Sequence, residues 1–223
     1  MSGANTIRFT WYTDGVSWRD GGAGIYNKGN GTVMSDYITN GHLSNIFSYC
    51  KAKGIIPVFA IHDLTCSNDW AYFNADLKNW WTSAKVVSLI NAHKDHIIIN
   101  IANEFGTVRW NGGNASDFNT FKTNYATTVS ALRTAGVKVP IMVDAPDCGQ
   151  SISELMTMSA DILNADPQHN IIFSTHLYWG GYATTQQAIA AKFTEAVNAG
   201  VCVVLGEVAP NQDNGACGNM DIT

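Results

Sequence analysis

The feature that most constrains this chain is an alternation. Short runs, apolar on consecutive rather than alternate residues, are separated by longer segments of helical period. The runs are Ile7–Trp11, Ile55–Ile61, Ile97–Ile101, Pro140–Val143, Ile171–Phe173 and Val201–Leu205, each rich in Val, Ile or Phe. A strand that is apolar on both faces must be covered on both, which marks a parallel sheet wrapped in helices. The intervening segments supply the helices. Leu77, Trp80, Trp81, Ala84 and Val87 form one apolar stripe. Phe118, Phe121, Tyr125, Val129 and Leu132 form a second, and Ile152, Leu155, Ser159 and Ile162 a third. Ile189, Phe193 and Val197 make a sparser one, and a further helix fits Val33–Lys53 with Gly41 as an interruption. Gly54, Gly136 and Gly200 each stand just before a run, where a left-handed C-cap ends a helix. One strand followed by five α-β units predicts a parallel α/β fold, in one domain over 1–223.

Composition narrows the partners. A net charge of -5 gives no reason to expect nucleic acid or an anionic membrane surface. No apolar run approaches the ~20 residues that a membrane span requires. Charged residues are 14% and aromatic residues 11% of the chain, a balance that suits a neutral ligand. Met1-Ser2-Gly3 leads directly into the first run without an apolar leader. Of the five cysteines, Cys50 and Cys202 sit among apolar residues and are expected in the core. Cys66, Cys148 and Cys217 fall in loops, where two of them can pair. Asn30-Gly31-Thr32 and Asn114-Ala115-Ser116 match the glycosylation acceptor pattern.

The strand ends carry the chemistry. The runs terminate in His62-Asp63, Asn103-Glu104, Asp144, His176 with Tyr178, and Glu207, while Arg8 lies inside the first. In parallel barrels that C-terminal end holds the active site. The chain has only four glutamates, and Glu154 and Glu195 sit on helices as expected surface residues. Glu104 and Glu207 directly follow strands three apart, so in an eight-stranded ring they would face each other. Paired carboxylates are what glycosidic-bond hydrolysis uses.

At these positions the sequence resembles glycoside hydrolase family 5, the cellulase and β-mannanase family. Ile99-Asn100-Ile101-Ala102-Asn103-Glu104 is similar to its strand-four Asn-Glu motif, and Val204-Leu205-Gly206-Glu207 to its strand-seven nucleophile motif. Asn5-Thr6-Ile7-Arg8-Phe9 resembles its strand-two arginine segment, His62 its strand-three histidine, and His176-Leu177-Tyr178 its strand-six pair. Asn164-Ala165-Asp166-Pro167-Gln168 and Met142-Val143-Asp144-Ala145-Pro146 are closest to bacterial β-mannanases. The resemblance runs from Ala4 to Pro210. It implies a TIM (β/α)8-type barrel, a retaining endo-β-1,4-glycanase acting on β-mannan or cellulose, a secreted source protein, and no cofactor or metal. It casts Glu104 as acid/base and Glu207 as nucleophile. Negative charge on Glu207 is expected to raise the Glu104 pKa, and Arg8 and Tyr178 to hold Glu207 ionised. Asn103 is expected to bond a sugar 2-hydroxyl. His62, His176 and Asp144 are expected in the substrate site, with the histidines binding sugar hydroxyls or orienting the carboxylates. Trp110 and Trp179 are expected to line the cleft, with Trp11 and Trp18 also near strand ends and Trp80 in the core.

The chain departs from the family pattern in strand count. Six strands are readable, corresponding to strands two to seven, with no counterpart for the first or eighth and no strand-eight tryptophan. Such a barrel, truncated at both ends, would expose Ile7–Trp11 and Val201–Leu205 as edges, and a homodimer through them is one expected assembly. Three other functions are compatible with parts of this pattern. A truncated barrel could bind carbohydrate without turnover. A metal hydrolase could use His62-Asp63, Asp144, Asp147 and His176, although no His-x-His occurs, and His93 and His96 lie at a helix end. A dinucleotide enzyme would need a strand–GxGxxG–helix context that neither Gly21-Gly22-Ala23-Gly24 nor Asn111-Gly112-Gly113 supplies.

Overall fold

A computed structural model of the chain describes residues 3–13 and 31–209. Trp18, Cys217, the Gly21–Gly24 segment, the Asn30 acceptor pattern and the chain beyond 209 lie outside the described residues. Six parallel strands form one sheet in sequence order: β1 (Thr6–Trp11), β2 (Ile56–Ile61), β3 (Ile98–Asn100), β4 (Ile141–Asp144), β5 (Ile171–Leu177) and β6 (Val203–Val208). Among the described residues β1 and β6 are its edges. The sheet nevertheless curls, because Arg8 on β1 reaches Glu207 on β6 with a guanidinium nitrogen 2.5 Å from the carboxylate. The result is a curled half-barrel of the (β/α)8 type, with six strands and five helical connections among the described residues.

Helices cover the outer face. Gly41, at φ 77, separates α1 (Gly31–Thr39) from α2 (His42–Ala52) as its position predicts. The stripe from Leu77 to Val87 is not one helix. A short α3 (Trp70–Tyr72) and a π turn (Phe73–Leu77) lead into α4 (Lys78–Thr82). Ser83 then adopts an extended conformation, its hydroxyl donating to the Trp80 carbonyl, and α5 (Ala84–Ala92) starts afresh. The break lets both Trp80 and Trp81 enter the core. The core residues predicted on α6 (Ala115–Thr134) and α7 (Ile152–Asn164) are buried, apart from Phe118, which is partly buried. On α8 (Gln186–Ala199) the expected Val197 is instead 77% exposed, and Ala196 is the buried residue. Gly54, Gly136 and Gly200 all have the left-handed backbone expected of them (φ 69, 94 and 67). Among the described residues no helix is long and apolar enough to cross a membrane.

Three local expectations change meaning. Cys50 is buried, but Cys202 is exposed, because it precedes an edge strand that only one neighbour covers. Asn114 serves as the N-cap of α6: its side chain accepts from Ser116 and Asp117 backbone N–H, and Asp117 returns a bond to the Asn114 N–H. That capping box gives Asn114 a structural role at the start of α6. Asp166, in the loop after α7, forms a bidentate pair with Arg133 (2.8 Å at both contacts) and accepts from Gln168 and Asn170 N–H. The pair is buried, so removing one partner strands a charge. Asp166→Ala should therefore cost about 3–5 kcal/mol of stability by chemical denaturation, far more than the loss of a surface charge.

Candidate active site

The strand tips converge on a polar pocket of about 280 Å³ lined by Thr10, Tyr12, His62, Thr65, Asn103, Glu104 and Glu207. Arg8 organises its floor. One guanidinium nitrogen donates to Glu207, and the other to Asn100 Oδ1 (2.8 Å), Asn103 Oδ1 (2.8 Å) and Asp144 Oδ2 (3.1 Å). Tyr178 donates to the second Glu207 oxygen at 2.7 Å, so both oxygens of that carboxylate are held. Asn103 has its amide oxygen on Arg8 and one N–H on Thr65 (2.9 Å). Its second N–H remains for a ligand in the pocket.

Glu207 reaches this position through a bulge. The β5–β6 register runs Thr175 to Leu205 and then His176 to Glu207, which leaves Gly206 as the extra residue. A bulge re-aims the side chain that follows it. Only glycine fits here, since a Cβ would lie 2.4 Å from Ser174 Oγ and 2.7 Å from His176 Nε2. Glu104 is turned inward by a left-handed backbone (φ 53), and its N–H donates to Asp144 Oδ2 at 3.0 Å.

His176 sits between the two carboxylates, with Nδ1 2.7 Å from Glu104 Oε1 and 3.7 Å from Glu207 Oε1. It is fully buried. Burial favours neutral imidazole, but Asp144, the Glu104 hydrogen bond and Glu207 together outweigh it and raise its pKa. The two glutamates are driven apart. Burial raises Glu104, against the opposing pull of His176, and Glu207 adds to the rise only as a smaller contribution. Burial also acts upward on Glu207, but His176, the Tyr178 hydrogen bond and Arg8 outweigh it, so its pKa is lowered. His62 is lowered to about 4, chiefly by burial and then by Arg8, so it is neutral near pH 7.

Several residues expected in contact with substrate lie elsewhere. Trp179 is fully buried against Tyr182 and Phe193, in a small apolar cluster beneath α8. It therefore packs a loop and lines no cleft. Asp144 is also fully buried, its oxygens taken by Arg8, Asn100 and the Glu104 N–H, which makes it a support. Trp110 stays 49% exposed on a 3-10 turn (Arg109–Asn111), outside the lining of the glutamate pocket. Asp147 builds that turn by accepting from the N–H groups of Val108, Arg109 and Trp110. Asp63 is engaged by Thr13 and Tyr72. Three members of the candidate metal-ligand set, Asp63, Asp144 and Asp147, are therefore committed to structural hydrogen bonds. Among the described residues two other trios bring ligand-type atoms within 4.8 Å, Glu104–His176–Glu207 and Cys66–Glu104–Cys148. Their atoms are already occupied by hydrogen bonds and by a Cys66–Cys148 disulfide. The reading by residue type missed Asn100, which bridges Arg8 and Asp144 while fully buried. A lone amide within Ile98-Ile99-Asn100-Ile101 was the available signal.

A curled parallel sheet with two closely spaced, oppositely tuned glutamates at its strand tips defines a protein of the (β/α)-barrel class with an acidic strand-tip pocket. The chain belongs to the cellulase family, glycosyl hydrolase family 5, whose model matches residues 1–222. It is 31% identical, over 96% of its length, to a mannan endo-1,4-beta-mannosidase from Streptomyces lividans. A beta-mannanase/endoglucanase A from Caldicellulosiruptor saccharolyticus is 31% identical over 78% of the chain. Among solved structures it is similar to a beta-mannanase from Thermomonospora fusca (TM-score 0.72, 26% identity, 98% of this chain). The chain spans 55% of the Streptomyces protein, 12% of the Caldicellulosiruptor protein and 64% of the Thermomonospora chain.

The bulge makes a testable demand. Gly206→Ala should destabilise the fold by about 1–3 kcal/mol and displace His176, visible as a changed imidazole titration by NMR.

Proposed function

We propose that this chain carries the active site of a retaining endo-β-1,4-glycanase, with β-mannan the favoured substrate over cellulose. One observation carries the reading: oxygens of Glu104 and Glu207 lie within 4.8 Å of each other, in environments that push their pKa values in opposite directions. Retaining enzymes space their two carboxyl groups at about 5–5.5 Å, whereas inverting enzymes leave room for a water between them. Glu104, its pKa raised by burial, donates its proton to the leaving glycosidic oxygen. Glu207, ionised and held by Arg8 and Tyr178, attacks the anomeric carbon to form a glycosyl ester. Glu104, now ionised, takes a proton from water, which attacks the same carbon and releases Glu207. The second N–H of Asn103 is left to bond the bound sugar's hydroxyls, and neutral His62 lines the same pocket. Trp110 is the candidate stacking platform beyond the glutamate pocket.

The preference for mannan rests on names that belong to the relatives, a mannan endo-1,4-beta-mannosidase and a beta-mannanase/endoglucanase A. The Cys66–Cys148 disulfide suits an oxidising compartment and supports a secreted source protein. A second reading, carbohydrate binding without turnover, has its own observation. A further cavity of about 400 Å³ opens inside the sheet near Thr6, Val58, Ile98, Ile172 and Val204, a region that packed layers fill in an eight-stranded barrel. A homodimer through the β1 and β6 edges belongs to our proposal, and a monomer by light scattering would remove it.

Reducing-sugar release from β-mannan and carboxymethyl-cellulose tests the main reading, and it should fall at least about a thousandfold in Glu207→Ala. Binding to mannan with no release by the wild-type chain would favour the second. Because the Glu207 pKa is lowered and that of Glu104 raised, kcat/KM should be bell-shaped. It is lost at low pH as Glu207 protonates and at high pH as Glu104 ionises.

A further inference from the structure

Glu104 presents one oxygen to His176 and the other to a disulfide. Its Oε2 lies 3.4 Å from Cys66 Sγ. Cys66 is bonded to Cys148, so this sulfur carries no proton and cannot donate. It caps the oxygen with a soft, weakly polar surface. Cys66 also donates its backbone N–H to the Glu104 carbonyl at 3.1 Å.

The other half of the disulfide leads to His176. Gly149 follows Cys148, and its carbonyl accepts from the His176 N–H (2.7 Å) and the Thr175 hydroxyl (3.0 Å). The backbone there is left-handed (φ +76) and so close that a Cβ would lie 2.6 Å from His176 Cγ. Cys148 thus fixes the surface on which the imidazole rests, and the imidazole holds Glu104. Four of the five non-glycine residues with positive φ among the described residues are Cys66, Glu104, Asp147 and Cys148. Such conformations persist only where neighbouring structure over-determines them, and here the cross-link joins the loops that carry all four.

We propose that the Cys66–Cys148 disulfide is a positioning element for Glu104, and that its reduction weakens that residue as a proton donor. This rests on the acid/base reading of Glu104 given above. An external dithiol supplies two electrons and two protons, leaving two protein thiols and the dithiol as a cyclic disulfide. Cys66 then has an S–H that can donate to Oε2 and stabilise the ionised carboxylate. Cys148 no longer pins Gly149 beneath His176. The charged groups facing Glu104 are His176 on β5, Asp144 on β4 and Glu207 on β6, and reduction alters none of them chemically.

The test compares oxidised and dithiol-reduced wild-type protein. Carbon-13 NMR of glutamate-labelled protein follows only four carboxyls, and Glu104→Gln identifies the relevant one. The expected result is a fall of about one unit in the Glu104 midpoint on reduction, with the circular dichroism unchanged. An unmoved midpoint would overturn the proposal. So would loss of the fold, since the disulfide would then be a staple for stability alone. Turnover adds a second readout. Reduction should lower kcat/KM on a manno-oligosaccharide by about tenfold or more, and leave a dinitrophenyl glycoside, whose leaving group needs no proton, within about twofold. Equal losses on both substrates would also overturn it. If the oxidised protein hydrolyses neither, the glycosidase reading fails by itself, and the carboxyl titration alone decides the role of the disulfide.

Discussion

The guanidinium of Arg8 joins what the sheet topology leaves apart. It starts on one edge strand and bonds a carboxylate on the other, along with Asn100 on β3, Asn103 just beyond it and Asp144 at the end of β4. A rigid planar fork with five donors suits this better than an ammonium would. The charge is nearly buried, and partly buried charges are tolerated only when paired and hydrogen-bonded. The same contacts that pair the Arg8 terminal nitrogens therefore join the two edges of the sheet, help to keep Glu207 ionised and orient Asn103.

A second constraint follows from the first. With Arg8 committed to Glu207, the other glutamate has no full cation of its own among the described residues, only the imidazole of His176. Burial then decides its protonation, more than the neighbouring negative charge does. Two residues of one type acquire opposite tendencies because burial prevails at Glu104 against the pull of His176, whereas at Glu207 it is outweighed by His176, the Tyr178 hydrogen bond and Arg8. The loop residues Asp147, Cys148 and Gly149 sit behind this arrangement, holding the Trp110 turn, the disulfide and the His176 backbone in turn.

Much of the architecture was legible in the sequence. Consecutive apolar residues such as Val58-Phe59-Ala60-Ile61 can be buried on both faces only in a covered parallel sheet, and they are. Glycines 54, 136 and 200 marked helix ends because their backbone is left-handed. Side-chain direction in loops was less legible. Trp179 and Trp110 look alike in sequence, each a tryptophan shortly after a strand. One is sealed against Tyr182 and Phe193, the other stands in solvent on a turn built by Asp147. Val197 fits a helical stripe yet is exposed, and Ala196 is buried in its place.

By itself the sequence determined the order of strands and helices, and the delivery of Glu104, Glu207, His176 and Arg8 to one end of the sheet. Both follow from periodicity and chain order, which are local. Tertiary structure alone decided which groups share hydrogen bonds, which cysteines pair, and that Asp144 is a buried support. Those outcomes depend on the curl of the sheet and on left-handed turns at Glu104 and Cys148, where residues dozens of positions apart meet within a few ångströms.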